Sequence, residues 1–168
     1  MNTARNVATH VAAALVVLLA LVTLPGCTKV EDAVFNAMMG AEHAMAGLDE
    51  ARVTVDDIDW VYLKNDWKPE RETVVLLHGF TGDKDNWTRF AGKLSGDFNL
   101  VIPDLPGHGA TTHTMDIAYD IDTQARRVGS LMAALGIEKY HVAGNSMGGA
   151  IAVRAAWLAP ANVLSVGL

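Results

Sequence analysis

The sequence is short of cysteine, of positive charge and of long apolar runs. A single cysteine in 168 residues, Cys27, excludes an internal disulfide and a cysteine-rich metal site. Lys and Arg total 13 against 19 Asp and Glu, a formal net charge of −6, and no basic cluster interrupts the chain. That balance argues against nucleic acid and anionic lipid headgroups as partners. Neither an internal repeat nor a low-complexity segment occurs. With 51% hydrophobic and 19% charged residues, the chain reads as one globular domain of ordinary size rather than a disordered one. The longest apolar run, Val11 to Leu24, is too short to cross a bilayer comfortably. A further lack concerns chemistry: Met147 to Leu168 contain no Asp, Glu or His.

That apolar run follows Arg5 and has the length of a signal-peptide core. It ends in LPGC, Leu24 to Cys27, with Pro25 where a small or β-branched residue is usual. The tetrad resembles the lipobox of bacterial lipoproteins, in which the cysteine is diacylated and becomes the mature N-terminus. The resemblance implies a signal peptide over 1–26, lipidation of Cys27 and a membrane-anchored protein of the bacterial cell envelope. Acyl chains anchor at about 0.8 kcal/mol per buried CH₂. The alternative is an ordinary secretory peptide and a secreted or periplasmic product. Residues 27–51 then read as an N-terminal helix and linker. Val34, Met38, Met45 and Leu48 fall near one helical stripe, suited to a stalk or to a helix packed on the domain, with His43 as a surface residue.

From residue 52 the pattern changes to short strands. RVTV and IDWVYL, joined by Asp56-Asp57, predict a hairpin. Continuous apolar runs at Thr73–Leu77 and Asn99–Pro103 predict strands buried on both faces. Residues 85–94 fit a helix with Trp87, Phe90 and Leu94 inward. Thr123–Leu135 fits another, carrying Val128, Leu131, Met132 and Leu135 and stopped at Gly136. YHVAG is a strand, MGGAIAVRAAWLA a helix ended by Pro160, and NVLSVGL opens a further strand. Strands alternating with helices specify an α/β class, a mostly parallel sheet covered by helices on both faces.

The chemistry lies in Gly144-Asn145-Ser146-Met147-Gly148, a G-x-S-x-G sequence. At average Gly and Ser frequencies such a pattern arises by chance about 0.06 times in a chain of this length, so coincidence does not account for it. A buried strand precedes it and an Ala-rich helix follows, the setting a nucleophile elbow requires. Gly144 and Gly148 stand where side chains would collide with neighbouring backbone. Ser146 is lifted to a helix N-terminus, where dipole and free N–H groups favour a developing negative charge. A second loop, His78-Gly79-Phe80, follows a buried strand. An oxyanion hole draws one N–H from the residue after the nucleophile and one from such a loop, which selects Met147 and Phe80. His78 precedes the nucleophile and is expected to order the loop rather than act as base.

LLHGFTGDKDNWTRFA, VIPDLPGHGAT and VAGNSMGGAIA, in that order, resemble the N-terminal half of the α/β-hydrolase fold, and most closely its bacterial membrane-associated lipases and esterases. The resemblance covers residues 52–168. It implies an α/β-hydrolase core ending after about the sixth strand, with Asp104–Gly109 as the loop after the fourth strand. His108 and His113 match no catalytic position in that family, which leaves them structural or surface roles. The family's triad runs Ser, then Asp or Glu, then His. The acid and the histidine are absent from this chain, as is the cap that shapes the pocket, so the expectation is the front half of an enzyme, inactive alone.

The expected reaction is carboxylic ester hydrolysis of an ester or acyl-lipid substrate, with Ser146 as nucleophile and no metal or organic cofactor. The alternatives are a carbon–carbon bond hydrolase of the meta-cleavage type, which shares the GNSMGG elbow, and a non-catalytic envelope lipoprotein that keeps the scaffold for binding. Epoxide hydrolases and haloalkane dehalogenases carry Asp where Ser146 stands. A final strand at Val163–Gly167 would be left as a bare, aggregation-prone edge.

Overall fold

The structure, a computed structural model, describes residues 28–168. The apolar run and Cys27 lie outside the described residues. Contacts divide the chain into residues 1–41 and residues 42–168. Helix α1, Thr28–Ala46, is the only described element that enters the first unit.

The second unit is built on six strands: β1 (Asp49–Val55), β2 (Ile58–Lys64), β3 (Thr73–Leu77), β4 (Asn99–Pro103), β5 (Tyr140–Gly144) and β6 (Val163–Gly167). Their order across the sheet is β1-β2-β4-β3-β5-β6. The β1–β2 and β2–β4 pairs are antiparallel, and the three remaining pairs are parallel. Asp56 (φ 50°) and Asp57 (φ 62°) form the two-residue hairpin turn in the left-handed region, which Asp tolerates better than most residues. The helices are α2 (Thr88–Leu94), preceded by a 3₁₀ turn at Lys84–Trp87, α3 (Ile121–Ala134) and α4 (Met147–Leu158).

Alternation along the central strands sorts the core into two layers. Val75, Leu77, Val101 and Val142 face α3 and α4, meeting Val128, Leu131, Met132, Ile151 and Ala155. Val74, Leu76, Leu100 and Ile102 face the other way, toward Leu63, Ala91, Trp87 and Leu94. Burying each Leu, Ile or Val contributes about 1.5–3 kcal/mol. Helices therefore cover both faces, as the strand–helix alternation implies.

Three sequence expectations need correction. Residues 85–94 are a 3₁₀ turn followed by a short helix, so Phe90 rotates outward and is 46% exposed. On α1, Met45 is exposed and Leu48 lies past the helix end, buried in the second core layer, so the stripe is not one packed face. His43 is not a free surface residue: its Nε2 lies 2.7 Å from Asp85 Oδ1, and its side chain is only 12% exposed.

Candidate active site

β5 and α4 meet at Ser146, which adopts φ 53° and ψ −115°. A non-glycine residue in that region costs on the order of 1–3 kcal/mol, which the surroundings must over-determine. They do so through the glycines. A Cβ on Gly144 would overlap the Gly148 carbonyl, and a Cβ on Gly148 would overlap the Leu77 carbonyl oxygen. Both obstacles are backbone and cannot move aside. The turn is closed by Asn145 N–H donating to Leu77 O (3.1 Å) and Gly148 N–H donating to Asn145 O (2.9 Å). Ser146 is exposed above it, and Met147, the first residue of α4, holds an N–H beyond the helix ladder.

His78 explains the second loop. It is completely buried, and Leu105 N–H donates to its Nε2 at 2.9 Å. Nε2 is therefore the lone-pair nitrogen, and the proton sits on Nδ1, which donates to Gly79 O at 2.8 Å. Burial pushes the His78 pKa below its usual value and outweighs the Gly79 bond, so the ring stays neutral. Gly79 O also accepts from Gly82 N–H at 3.0 Å. In a trans peptide the carbonyl and the N–H point in opposite directions. With Gly79 O held on His78, the Phe80 N–H is turned away from it. Gly79 lies against the elbow: a Cβ there would sit 3.5 Å from Ser146 Cβ. The expectation that His78 orders the loop instead of acting as base agrees with these bonds.

His108 holds the next peptide. Its Nε2 donates to Phe80 O at 2.6 Å, and its ring packs edge-on to Phe80 and His78 at 5.8 and 5.1 Å. His113 is exposed and lines the same cleft. That cleft, about 580 Å³, is bordered by Phe80, Met147, Met115 and Tyr119 and is predominantly apolar. A second cavity of about 420 Å³ runs from Ser146 to Val153 and Leu168. Ser146 thus sits between two spaces, and both residues selected as oxyanion donors border the larger one.

Sequence reasoning missed Asp104 and Lys84. Asp104 is fully buried; its Oδ1 accepts from Lys84 N–H (2.7 Å) and its Oδ2 from Ala110 N–H (2.8 Å). Lys84 Nζ is 3.5 Å from Asp104, 3.7 Å from Glu50 and 3.8 Å from Asp85. Burial alone would lower the Lys84 pKa, but the three carboxylates, Asp104 foremost, outweigh it and raise it. A Cβ on Gly109 (φ 53°) would overlap the Asp104 carboxylate, so the loop closes only around glycine. The available signal was an Asp directly after a buried strand, followed by Gly-His-Gly.

Among the described residues no imidazole or carboxylate hydrogen-bonds to Ser146. His141 does sit in a Ser–His–Glu chain, with Nδ1 2.8 Å from Ser165 Oγ and Nε2 3.1 Å from Glu72. It lies at the opposite end of β5, about 10 Å along the strand from the elbow, where it ties β5 to β6 and to the start of β3. No group of three or more His, Cys, Asp or Glu among the described residues is placed to hold a metal ion.

The family model for the alpha/beta hydrolase fold matches residues 72–168. The chain belongs to that family. It is 43% identical over 129 residues to Lipase 3 of Moraxella sp. (strain TA144), an alignment covering 76% of this chain and 40% of that protein. It is 34% identical over 151 residues to Lipase 1 of Psychrobacter immobilis, covering 87% and 47%. The crystal structure of a membrane phospholipase A, described as a bacterial virulence factor, superposes with a TM-score of 0.80 at 39% identity. That match covers 94% of this chain and 50% of the other. The chain thus spans about half the length of these relatives of the α/β-hydrolase family.

Proposed function

We propose that these residues are the nucleophile-bearing half of a carboxylic ester hydrolase acting on acyl lipids. The observation that carries this reading is the strained Ser146 conformation, held between two glycines at which an added Cβ would overlap backbone atoms. Ser146 Oγ attacks the ester carbonyl, and the negative charge that develops on oxygen is met by the N–H groups of Phe80 and Met147. The alcohol leaves, and water hydrolyses the acyl-serine. The neutral His78 and the His108 bond to Phe80 O fix the peptides on both sides of Phe80, so its N–H needs no reorganisation when charge appears. The apolar cleft beside these donors suits an acyl chain. Similarity to the two lipases and to the membrane phospholipase A supports a lipid ester.

The base that takes the Ser146 proton and the acid that orients it are outside residues 28–168 in this reading. Without a base the serine keeps its proton, and loss of the base in comparable triads costs on the order of 10⁶ in turnover. The isolated chain is therefore expected to be inactive. Lipidation at Cys27 would hold the protein at a membrane surface, next to such substrates.

Fluorophosphonate labelling of membranes from cells that make the protein tests this reading, with peptide mapping and a Ser146→Ala control. The expected result is a membrane-bound band well above 17.9 kDa, labelled on Ser146. An unlabelled protein found only near 17.9 kDa would refute it in favour of a non-catalytic envelope lipoprotein, a reading motivated by the lack of a base beside Ser146 among the described residues.

A further inference from the structure

The cleft beside Phe80 and Met147 is predominantly apolar, and most polar side chains of its wall are committed to partners. Tyr119 O–H donates to Thr114 O at 2.7 Å and accepts from Thr114 N–H at 3.0 Å. Thr114 Oγ1 donates to Asp116 Oδ2 at 3.3 Å. His108 Nε2 is held on Phe80 O, and His113 is exposed to water. Gln124, near the start of α3, is the exception. Its Nε2 donates to Pro106 O at 2.9 Å, which assigns the other end of the amide as the carbonyl oxygen. That oxygen, Oε1, is buried and has no hydrogen-bond partner among the described residues. Gln124 is only 1% exposed, yet it lines the cleft. A buried acceptor without a donor is costly, and native structures leave few of them.

We propose that Gln124 Oε1 recognises the substrate, accepting a hydrogen bond from a free hydroxyl of the bound ester. The substrate class is then an acyl ester of a polyol that keeps at least one hydroxyl, such as a partly acylated glycerol. For what occupies the cleft, this rests on the ester-hydrolase reading. A neutral hydroxyl suits the site better than an ammonium, because one carbonyl oxygen in an apolar wall does not offset the desolvation of a charge. A fully esterified polyol brings only acceptors to Gln124 and leaves Oε1 buried and unpaired, and sites of that kind reject the analogue without the donor. The position also fits. Pro106 O, which holds Gln124 Nε2, lies 3.4 Å from His108 Nδ1, and His108 in turn holds Phe80 O. Gln124 is thus tied to the loop that carries the Phe80 N–H, so a hydroxyl seated on Oε1 sets the ester in register with that donor.

The test uses the protein purified at its native length in lipid nanodiscs, carrying Ser146→Ala so that no turnover enters. Calorimetry compares octylglycerol, a non-hydrolysable ether with free hydroxyls, with its di-O-methyl ether, which keeps the oxygens but has no donor; empty nanodiscs supply the blank. Octylglycerol should bind about tenfold more tightly, the effect of one neutral hydrogen bond, although its partner is the more apolar ligand. This ligand swap needs no change at Gln124, so it reads even where a substitution there prevents folding. Adding Gln124→Met should abolish the preference. Gln124→Glu, measured at about pH 5 where burial favours the protonated acid, keeps an acceptor and a donor to Pro106 O and should retain it. Octylglycerol binding no tighter than its dimethyl ether overturns the proposal, as does a preference that survives Gln124→Met; a water or a donor elsewhere in the protein would then satisfy Oε1. Equal loss in Gln124→Met and Gln124→Glu also overturns it, since the residue would then only brace the Pro106 loop. Lack of fluorophosphonate labelling at Ser146 sinks the ester-hydrolase reading alone, because these affinities need no reactive serine.

Discussion

Replacing Asp104 by Ala is the sharpest check on how the site is supported. The carboxylate is fully buried and accepts two backbone N–H groups, from Lys84 and Ala110, while pairing with a buried ammonium. Its removal orphans the Lys84 N–H, at about 1–3 kcal/mol. Ala110 is exposed, so its N–H recovers a bond from water. Breaking a buried ion pair costs about 3–5 kcal/mol, but Glu50 and Asp85 still face Lys84 Nζ, which places the pair at the low end. The sum is about 4–6 kcal/mol, against a total stability of roughly 5–15 kcal/mol. In urea unfolding followed by circular dichroism this shifts the midpoint down by roughly 1–6 M. Asp104→Asn keeps one acceptor and should lose about half as much. A loss below about 1 kcal/mol for Asp104→Ala, or equal losses for both variants, would refute the argument that this carboxylate ties the two cleft loops together.

The glycines predict opposite signs. Gly148→Ala forces a Cβ into the Leu77 carbonyl and should cost about 3 kcal/mol or more, whereas Gly129→Ala, in α3 with nothing within 4 Å, should gain about 0.5–1 kcal/mol; paired thermal melts check both. Ser146→Gly releases the backbone strain and should stabilise the fold by about 1 kcal/mol while abolishing fluorophosphonate labelling, and a destabilised variant would count against strain at the elbow. The depressed pKa of His78 has a definite sign. The unfolded chain binds the proton more tightly, so this contribution is complete above pH 6.5 and is lost as pH falls through the lower folded value. His78→Gln should flatten that part of the stability–pH curve, and an unchanged curve would mean the buried neutral ring is misassigned.

The tight turn at Ser146 and the loop after β3 were legible as backbone features because their sequence pattern is local. Gly144 and Gly148 answer to a turn five residues long, and the apolar runs of β3, β4 and β5 announce burial without reference to partners. Phe90 was misplaced because helical periodicity assumes one register, and the 3₁₀ turn at Lys84–Trp87 shifts the register before α2 begins. His43 read as a surface residue and Lys84 drew no reading, since nothing in a sequence tells a lysine that carboxylates from distant segments will surround it. The sequence by itself determined the strand and helix periods and the Gly-Asn-Ser-Met-Gly turn that holds Ser146. Only the tertiary structure decided which nitrogen of His78 carries the proton and that Asp104 lies beneath the cleft loops, paired with Lys84. Those facts depend on groups 20 to 50 residues apart meeting in a dry interior, where pairing rather than local preference sets the energy.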